Sequence, residues 1–597
     1  MKHILSLVGV IFLMFFQLSC GSDEEVKTMP ETEVPEAEVM DTDQGNYGLP
    51  ILPKVNLTSM YEAGVRELEE NSELQLITVL DGTDKVSIKV KYLGMRDFNF
   101  GFPLYEFELT DPLVEKMGGI AQGMSGSPVG PEGRVIGALA YGDSFGTAPY
   151  RFWATTIDAM EEARDHRPLG EFMNAPGAPS VHTRWMPIKT PLVVSGINQR
   201  RVEDVSKRLR SSRFDAINFV ADVGGAPANA PTVSGDLEAG DMIGVAIATG
   251  DVVDLTAYGT VTQVYNDGTF VAFGHSFRYD GAVSLPVYQA TTAGIVANLQ
   301  IPYKSVVKYG EPIGTLTKDL SAAVVGELGD PPDMIPISVS YHPVNSDKPI
   351  KTESEVAYGQ EWAIAPVVAW TVDALRREWT GGTSDGTLVL SFEETKKTYT
   401  HRWRNVSPDP FFDTYENLDY AVGEFTDPLK NAAGKATLKS ISVEITDKPQ
   451  LASAEIIDVK VPDNIRTGTQ VTFTVVLLPH WSVAEDDERT IEKDISLNIP
   501  SDFKTGSVTL KVEAQTTDLF DLIFDFDFDF DLDSDTEDEG PPQTLDELIE
   551  ERQDRILEPG TIKVTLEANG SLEDIEEELI LDDYVVNGEI TDSISIE

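Results

Sequence analysis

Alternation of apolar and polar residues is the commonest pattern along this chain. Turn signals such as Asn266-Asp267-Gly268 separate the alternating runs, and helical spacing is confined to a few segments. The clearest alternating runs are 86–92, 438–445 and 471–476, and the segments with helical spacing are 55–70, 156–165 and 199–211. A period of two places alternate side chains on one face of a sheet. The pattern therefore predicts a mainly β protein.

The region after residue 345 carries short alternating runs, such as 458–461 and 506–512, of the kind found in β-sandwiches. We expect a β-rich module at 346–450 and a β-sandwich module at 451–597.

An acidic run, 518–540, interrupts the second module, and 11 of the 22 residues from 518 to 539 are acidic. Within it, 524–531 alternates Phe and Asp, so a strand with one aromatic face is an alternative. The many unpaired charges favour a solvated loop that could bind calcium through its carboxylates. A capping box at Thr544 predicts a short helix after the loop.

The N-terminus has the pattern of a secretory leader. A short basic start precedes an almost wholly apolar stretch, 4–16, which is too short for a comfortable transmembrane helix. Ser19-Cys20-Gly21 resembles a bacterial lipoprotein cleavage site, and Cys20 is the single cysteine of the 597 residues. We expect a lipoprotein signal peptide at 1–20 with Cys20 lipidated, and an acidic disordered tether at 21–48. An ordinary signal peptide with an incidental cysteine is the alternative.

The formal net charge is −54, from 100 acidic and 46 basic residues. Binding to phosphate groups needs clustered cations, so this charge disfavours nucleic acid and anionic lipid surfaces as partners.

The candidate chemistry lies in the segment Gly123-Met124-Ser125-Gly126-Ser127-Pro128. Its glycines allow a sharp turn, so the backbone N–H groups of Gly123 and Ser125 can point at one spot and form an oxyanion hole. Ser125 would present its hydroxyl there. The layout Gly-x-Ser-Gly-x-Pro is that of a serine protease nucleophile loop, although a plain turn between strands fits the same hexapeptide.

Three blocks of the chain, namely 110–128, 268–275 and 310–319, resemble the SpoIVB peptidase family, the S55 serine peptidases. The resemblance implies a serine peptidase domain over 49–345 with a chymotrypsin-like double β-barrel core and the catalytic residues in the cleft between the barrels. The β-sandwich modules would follow this core.

The resemblance also implies a triad in which Ser125 is the nucleophile, His275 the general base and Asp111 the acid. A packed histidine at a strand end and a turn-forming aspartate before proline are the alternatives, and Asp267 and Asp280 are possible substitutes for Asp111. Ser125 precedes His275, whereas the histidine block comes first in the sporulation peptidases. Triads are defined by geometry, so a permuted order does not exclude activity.

The sequence thus predicts a lipid-anchored extracytoplasmic serine endopeptidase of the bacterial cell envelope, on the periplasmic or surface face of the outer membrane. Protein or peptide substrates are the expected partners, the membrane is reached through the lipid anchor, and no cofactor or metal is expected. The alternative is a protease-like interaction protein that does not cleave. The sequence gives no oligomeric state.

Overall fold

The computed structural model divides the chain into two units, Met1–Leu49 and Pro50–Glu597. The described residues all lie in the second unit, so the predicted leader, Cys20 and the whole predicted tether are outside them, as is the acidic run 518–540. The structure describes 62–63, 68–96, 101–143, 148–166, 185–187, 190–197, 200–201, 203, 218–222, 235–278, 280–296, 302–344, 346, 348–376, 381–428, 430–431, 433–450, 452–480, 490–515, 542–556, 558–567 and 574–597.

Six antiparallel strands near the N-terminal end of this unit close into a ring. Pairing runs in the order β5-β2-β3-β4-β8-β7 and returns to β5. The strands are β2 Glu73–Asp81, β3 Asp84–Arg96, β4 Leu104–Leu109, β5 Pro128–Gly130, β7 Gly137–Asp143 and β8 Arg151–Thr156. Strand β9, Trp185–Pro187, pairs with β7 at the margin of the ring, while β1 Glu62–Ala63 and β6 Arg134–Val135 form a separate two-stranded parallel sheet. Closure leaves this first barrel without open edges in the ring.

A second ring of six antiparallel strands follows along the chain. Its pairing runs β13-β14-β17-β16-β15-β12 and returns to β13. The strands are β12 Met242–Gly250, β13 Asp254–Val264, β14 Thr269–Ala272, β15 Gly281–Val296, β16 Tyr303–Leu320 and β17 Ala323–Leu328. Helix α1, Leu113–Lys116, belongs to the first barrel, and α2, Ile157–Asp165, packs against β14 and β17 of the second. The two barrels therefore share buried contacts.

The sheet of the second barrel continues beyond the ring. Strands β10 Pro191–Ser195 and β11 Asn218–Asp222 extend it from β13, and five further strands extend it from β12. Those five are β18 Met334–His342, β19 Ile350–Ala357, β20 Gly382–Phe392, β21 Thr398–Ser407 and β22 Leu438–Lys448. A 3-10 helix, Glu361–Ala363, and helices α3 Ile364–Arg376 and α4 Pro410–Thr426 pack on this sheet. The sheet runs without interruption past the boundary that the sequence predicts at residue 345.

Two four-stranded sheets form the C-terminal part. One orders β25-β24-β23-β29 and the other β28-β27-β26-β30, and their inner faces share one apolar core. The strands are β23 Ser453–Lys460, β24 Gln470–His480, β25 Ile491–Asn498, β26 Gly506–Ala514, β27 Thr561–Glu567, β28 Ile575–Ile580, β29 Val585–Asn587 and β30 Glu589–Ile596. Helix α5, Leu545–Asp554, is capped by Thr544, whose hydroxyl accepts from the Glu547 N–H, but its apolar face packs on the preceding core.

The prediction of a mainly β chain is confirmed. The runs 86–92, 438–445 and 471–476 lie in β3, β22 and β24, and the helix predicted at 156–165 is α2. Part of the helix predicted at 55–70 is wrong, because Glu62–Ala63 pair as a strand with β6. The strand pairing forms two closed rings, while the chymotrypsin-like character of the pair stays a prediction.

Candidate active site

The loop that carries Ser125 connects α1 to β5 and is built from two consecutive tight turns. The Met124 N–H donates to the Ala121 carbonyl (3.1 Å) and the Ser127 N–H donates to the Met124 carbonyl (2.9 Å). Gly123 and Gly126 have φ of 87° and 89°, a conformation that glycine adopts without the usual side-chain penalty. The glycines therefore let this nucleophile loop, 122–127, turn twice before the strand begins.

Strand β13 of the second barrel receives this loop. The Thr260 N–H donates to the Ser125 carbonyl (2.8 Å), and the Thr260 hydroxyl donates to the Gly123 carbonyl (3.1 Å). The Thr262 hydroxyl donates to the Gly126 carbonyl (2.8 Å). Gly126 lies so close to the second barrel that an added Cβ would overlap the Thr260 carbonyl oxygen and the Phe273 nitrogen. The nucleophile loop is thus part of the seam between the barrels.

His275 leaves the end of β14 through two residues with positive φ. Phe273 has φ 67° and Gly274 has φ 70°. The Phe273 ring lies where a Cβ at Gly259 would collide with it, and the Thr155 hydroxyl of the first barrel donates to the Gly274 carbonyl (2.5 Å). These contacts direct the chain after β14 toward the first barrel.

Ser125 and His275 meet at this seam, although 150 residues separate them in sequence. The Ser125 Oγ lies 2.5 Å from the His275 Nε2, and the His275 Nδ1 lies 2.6 Å from the Ser276 carbonyl oxygen. Because a carbonyl oxygen only accepts hydrogen bonds, Nδ1 carries the proton of the neutral ring and Nε2 accepts from the serine hydroxyl. Proton transfer from a serine to a general base requires this arrangement.

Asp111 lies at the turn before α1. Its carboxylate accepts from the Leu113 N–H (3.0 Å) and weakly from the Lys89 N–H (3.5 Å). These contacts stabilise the turn and do not join Asp111 to His275.

The two substitutes that the sequence left open have other partners. Asp267 caps the turn before β14 through the Thr269 N–H (3.0 Å) and hydroxyl (2.6 Å). Asp280 forms an ion pair with Arg278 (3.2 Å) and accepts from the Gln360 amide (3.1 Å).

The carboxylate that organises the chain after His275 is Asp319, on β16. It accepts from the backbone N–H groups of Phe277 (3.0 Å), Arg278 (2.8 Å) and Asp280 (3.3 Å), and it bonds the Ser276 side chain. Burial raises the pKa of Asp319 to about 6, and the nearby charge of Asp280 acts in the same direction. Sequence reasoning missed this role, although Asp319 ends the third block of the family resemblance.

Several backbone donors of the nucleophile loop are already engaged. The N–H groups of Met124 and Ser127 bond within the loop, and the Gly126 N–H donates to the Leu139 carbonyl (2.8 Å). Within the described part of the chain, the Gly123 N–H donates to no acceptor. The assignment of Gly123 and Ser125 as oxyanion donors stays a prediction.

A buried lysine, Lys304 of β16, lies against the loop. Its Nζ donates to the Thr78 hydroxyl (3.0 Å), which also accepts from the Ser127 hydroxyl (3.0 Å). A Cβ at Gly123 would lie 3.3 Å from the Lys304 Cδ. Lys304 is 1% exposed, and burial lowers its pKa to about 7.

The described residues contain no group of three or more His, Cys, Asp or Glu side chains placed to hold a metal ion. Among the same residues, no helix combines the length and the apolar character needed to span a membrane.

The comparison with protein families finds a match to the SpoIVB peptidase S55 family. The family model matches residues 42–160. No curated protein and no solved structure matches the chain. The SpoIVB peptidase S55 match covers Asp111, Ser125 and the six strands of the first barrel, and it ends before His275. It supports a peptidase function, and the contact between Ser125 and His275 lies outside what this match tests.

Proposed function

We propose that the chain is a serine endopeptidase in which Ser125 is the nucleophile and His275 the general base. The observation that supports this most directly is the hydrogen-bonded pair itself, with Nδ1 of the histidine held by the Ser276 carbonyl oxygen. Ser125 lies on a loop inside the region that matches a peptidase family.

In the proposed reaction, the Ser125 Oγ forms a bond to the carbonyl carbon of the scissile peptide while its proton passes to the His275 Nε2. The negative oxygen of the tetrahedral intermediate would be stabilised by backbone N–H groups, with Gly123 and Ser125 as the candidates. When the C–N bond breaks, the histidine gives its proton to the leaving amine. Water, deprotonated by the same Nε2, then releases the acyl group and restores Ser125.

Asp111 keeps the acid role in this proposal through the family resemblance only. In the structure, the Ser276 carbonyl oxygen orients the Nδ1–H, a task that an aspartate performs in the usual triad. A carbonyl dipole stabilises an imidazolium less than a full negative charge does.

The proposal also places the protein in the bacterial cell envelope, anchored through Cys20 and acting on protein or peptide substrates outside the cytoplasm. The short apolar leader and the Ser19-Cys20-Gly21 sequence support this part.

A second candidate is a protease-like interaction protein that does not cleave. The burial of the site favours it, since Ser125 is 0% and His275 1% exposed. A substrate carbonyl cannot reach the Ser125 Oγ in this arrangement without a movement that opens the site.

Labelling with a serine-reactive fluorophosphonate tests the proposal. Wild-type protein should react, whereas Ser125→Ala and His275→Ala should lose nearly all labelling, and their combination should lose little more. Ser127→Ala is the matched control, because Ser127 lies on the same loop and bonds Thr78 instead of His275. If labelling vanishes in Ser127→Ala but persists in Ser125→Ala, the assignment of Ser125 as the nucleophile is wrong. No reaction with folded wild-type protein would favour the interaction protein.

A further inference from the structure

Lys304 is buried, and among the described residues no carboxylate forms an ion pair with it. Its Nζ contacts the Thr78 hydroxyl at 3.0 Å and the Met242 sulfur at 3.8 Å. Asp241, which precedes Met242 at the start of β12, is paired instead with Lys85 (2.9 Å). Burial of an amine costs free energy, and the hydrogen bonds that the amine forms offset this cost.

The surroundings of Lys304 are the nucleophile loop. Its backbone N–H donates to the Gln122 carbonyl (3.1 Å), while the Gln122 N–H donates to the Pro302 carbonyl (2.8 Å). The stem of the side chain lies against Gly123. At the other end of the loop, the Ser127 hydroxyl reaches the same Thr78 oxygen that the Lys304 amine uses. Lys304 therefore touches the start of the loop directly and its end through Thr78.

We propose that Lys304 is a positioning residue. It supports the nucleophile loop, so that the Ser125 hydroxyl lies within hydrogen-bond distance of His275 at the seam between the barrels. The proposal rests on the proposed peptidase function. It assigns Lys304 no contact with the reacting atoms. Its amine fixes Thr78 and through it Ser127, and its stem supports Gly123.

The charge state of Lys304 links this support to pH. The amine contacts β2 through Thr78 and β12 through Met242, and the backbone and stem of Lys304 contact the loop at Gln122 and Gly123. None of these four residues titrates. Burial lowers the pKa of Lys304 from 10.5 to about 7. Between pH 7 and 10.5 the unfolded chain therefore binds a proton that the folded protein does not, and stability rises with pH in this window.

The test uses the full chain and compares Lys304→Met with Thr78→Val. Lys304→Met keeps an apolar stem against Gly123 but removes the amine, and Thr78→Val removes its acceptor. We expect each variant to slow fluorophosphonate labelling of Ser125 by up to about 100-fold, because small misplacements of a nucleophile have effects of this size. The double variant should be no slower than the slower single variant, since both changes break one chain of contacts.

Lys308→Met is the matched control. Lys308 lies on the same strand and forms an ion pair with Asp254 (2.5 Å) away from the loop, so labelling should stay within about twofold of wild type. Lys304→Met should also remove one proton from the pH dependence of unfolding between pH 7 and 10.5, measured by urea denaturation.

The outcomes separate the two proposals. If wild type labels and Lys304→Met labels at the same rate, the positioning role is refuted while the peptidase proposal stands. If effects of Lys304→Met and Thr78→Val multiply in the double variant, they act independently and the proposed chain through Thr78 is wrong. If wild type does not label, the peptidase proposal is refuted, and the positioning role of Lys304, which rests on it, is refuted with it.

Discussion

Gly126→Ala should move the nucleophile loop away from the second barrel, which carries His275. Gly126 has φ 89°, where a residue with a side chain is strained by about 1–2 kcal/mol. The added Cβ would also overlap the Thr260 carbonyl oxygen and the Phe273 nitrogen and lie 2.9 Å from the Phe273 Cα. These are backbone atoms of the second barrel, so no side chain can rotate away. Forced overpacking of this kind costs about 1–3 kcal/mol, and the total loss of stability is about 2–5 kcal/mol.

The same substitution should reduce labelling of Ser125. Relief of the overlap requires the loop to move away from β13, and a displacement of the order of 1 Å at a catalytic group can cost about 100-fold. Gly133→Ala is the matched control, because Gly133 also has positive φ (77°) but a Cβ there would meet nothing within 4 Å. It should lose only the conformational part, about 1–2 kcal/mol, and label at the wild-type rate. Urea denaturation and labelling kinetics provide the two measurements. Equal effects of the two substitutions would show that the seam at Gly126 does not hold the site together.

Further predictions concern the carboxylates and the anchor. Asp319→Asn should slow labelling more than Asp111→Asn does, because Asp319 bonds Ser276, Phe277, Arg278 and Asp280 in the segment after His275. The reverse order, with a loss near the roughly 10⁴-fold of a triad aspartate, would establish Asp111 as the acid. Burial raises the pKa of Asp319 to about 6. The contribution of this residue to stability is therefore present below about pH 4 and is lost as the pH rises through 6. Asp319→Asn should remove this decrease in stability, measured as the melting temperature across the acid range. Cys20→Ala should move the processed protein from the membrane fraction to the soluble fraction, and a cleaved variant that still partitions with detergent would contradict lipidation.

The elements that sequence patterns predict well here are those with local signals. Strands such as β3 and β24 alternate, α2 has a threonine N-cap, and the turn at Asn266-Asp267-Gly268 has the expected residues. The continuity of the large sheet past residue 345 has no such signal. It depends on the parallel pairing of β18 with β22, which are about 100 residues apart, and pairing at that distance leaves no trace in local periodicity.

The candidate site divides in the same way. Ser125 was recognisable from its glycines and His275 from the Gly-His turn after an apolar strand. Lys304 was not, because a single lysine in a polar strand is expected to be exposed. Asp319 was also hidden, since its partners are mostly backbone N–H groups, and a backbone donor has no residue type that a sequence could show.

The conformation of Phe273 explains how the two barrels form one site. A bulky residue at φ 67° is a true outlier and costs of the order of 1–3 kcal/mol, so its surroundings must compensate. They do so through burial, because the Phe273 ring is fully enclosed and occupies the space above Gly259. The strained residue turns the chain at the end of β14, and Gly274 then passes against Ala138 and Ala140 of the first barrel. His275 reaches Ser125 only because of this turn. The strained conformation of Phe273 and the absence of a side chain at Gly126 both allow the two barrels to pack closely at the seam. The pairing of the serine with the histidine depends on both.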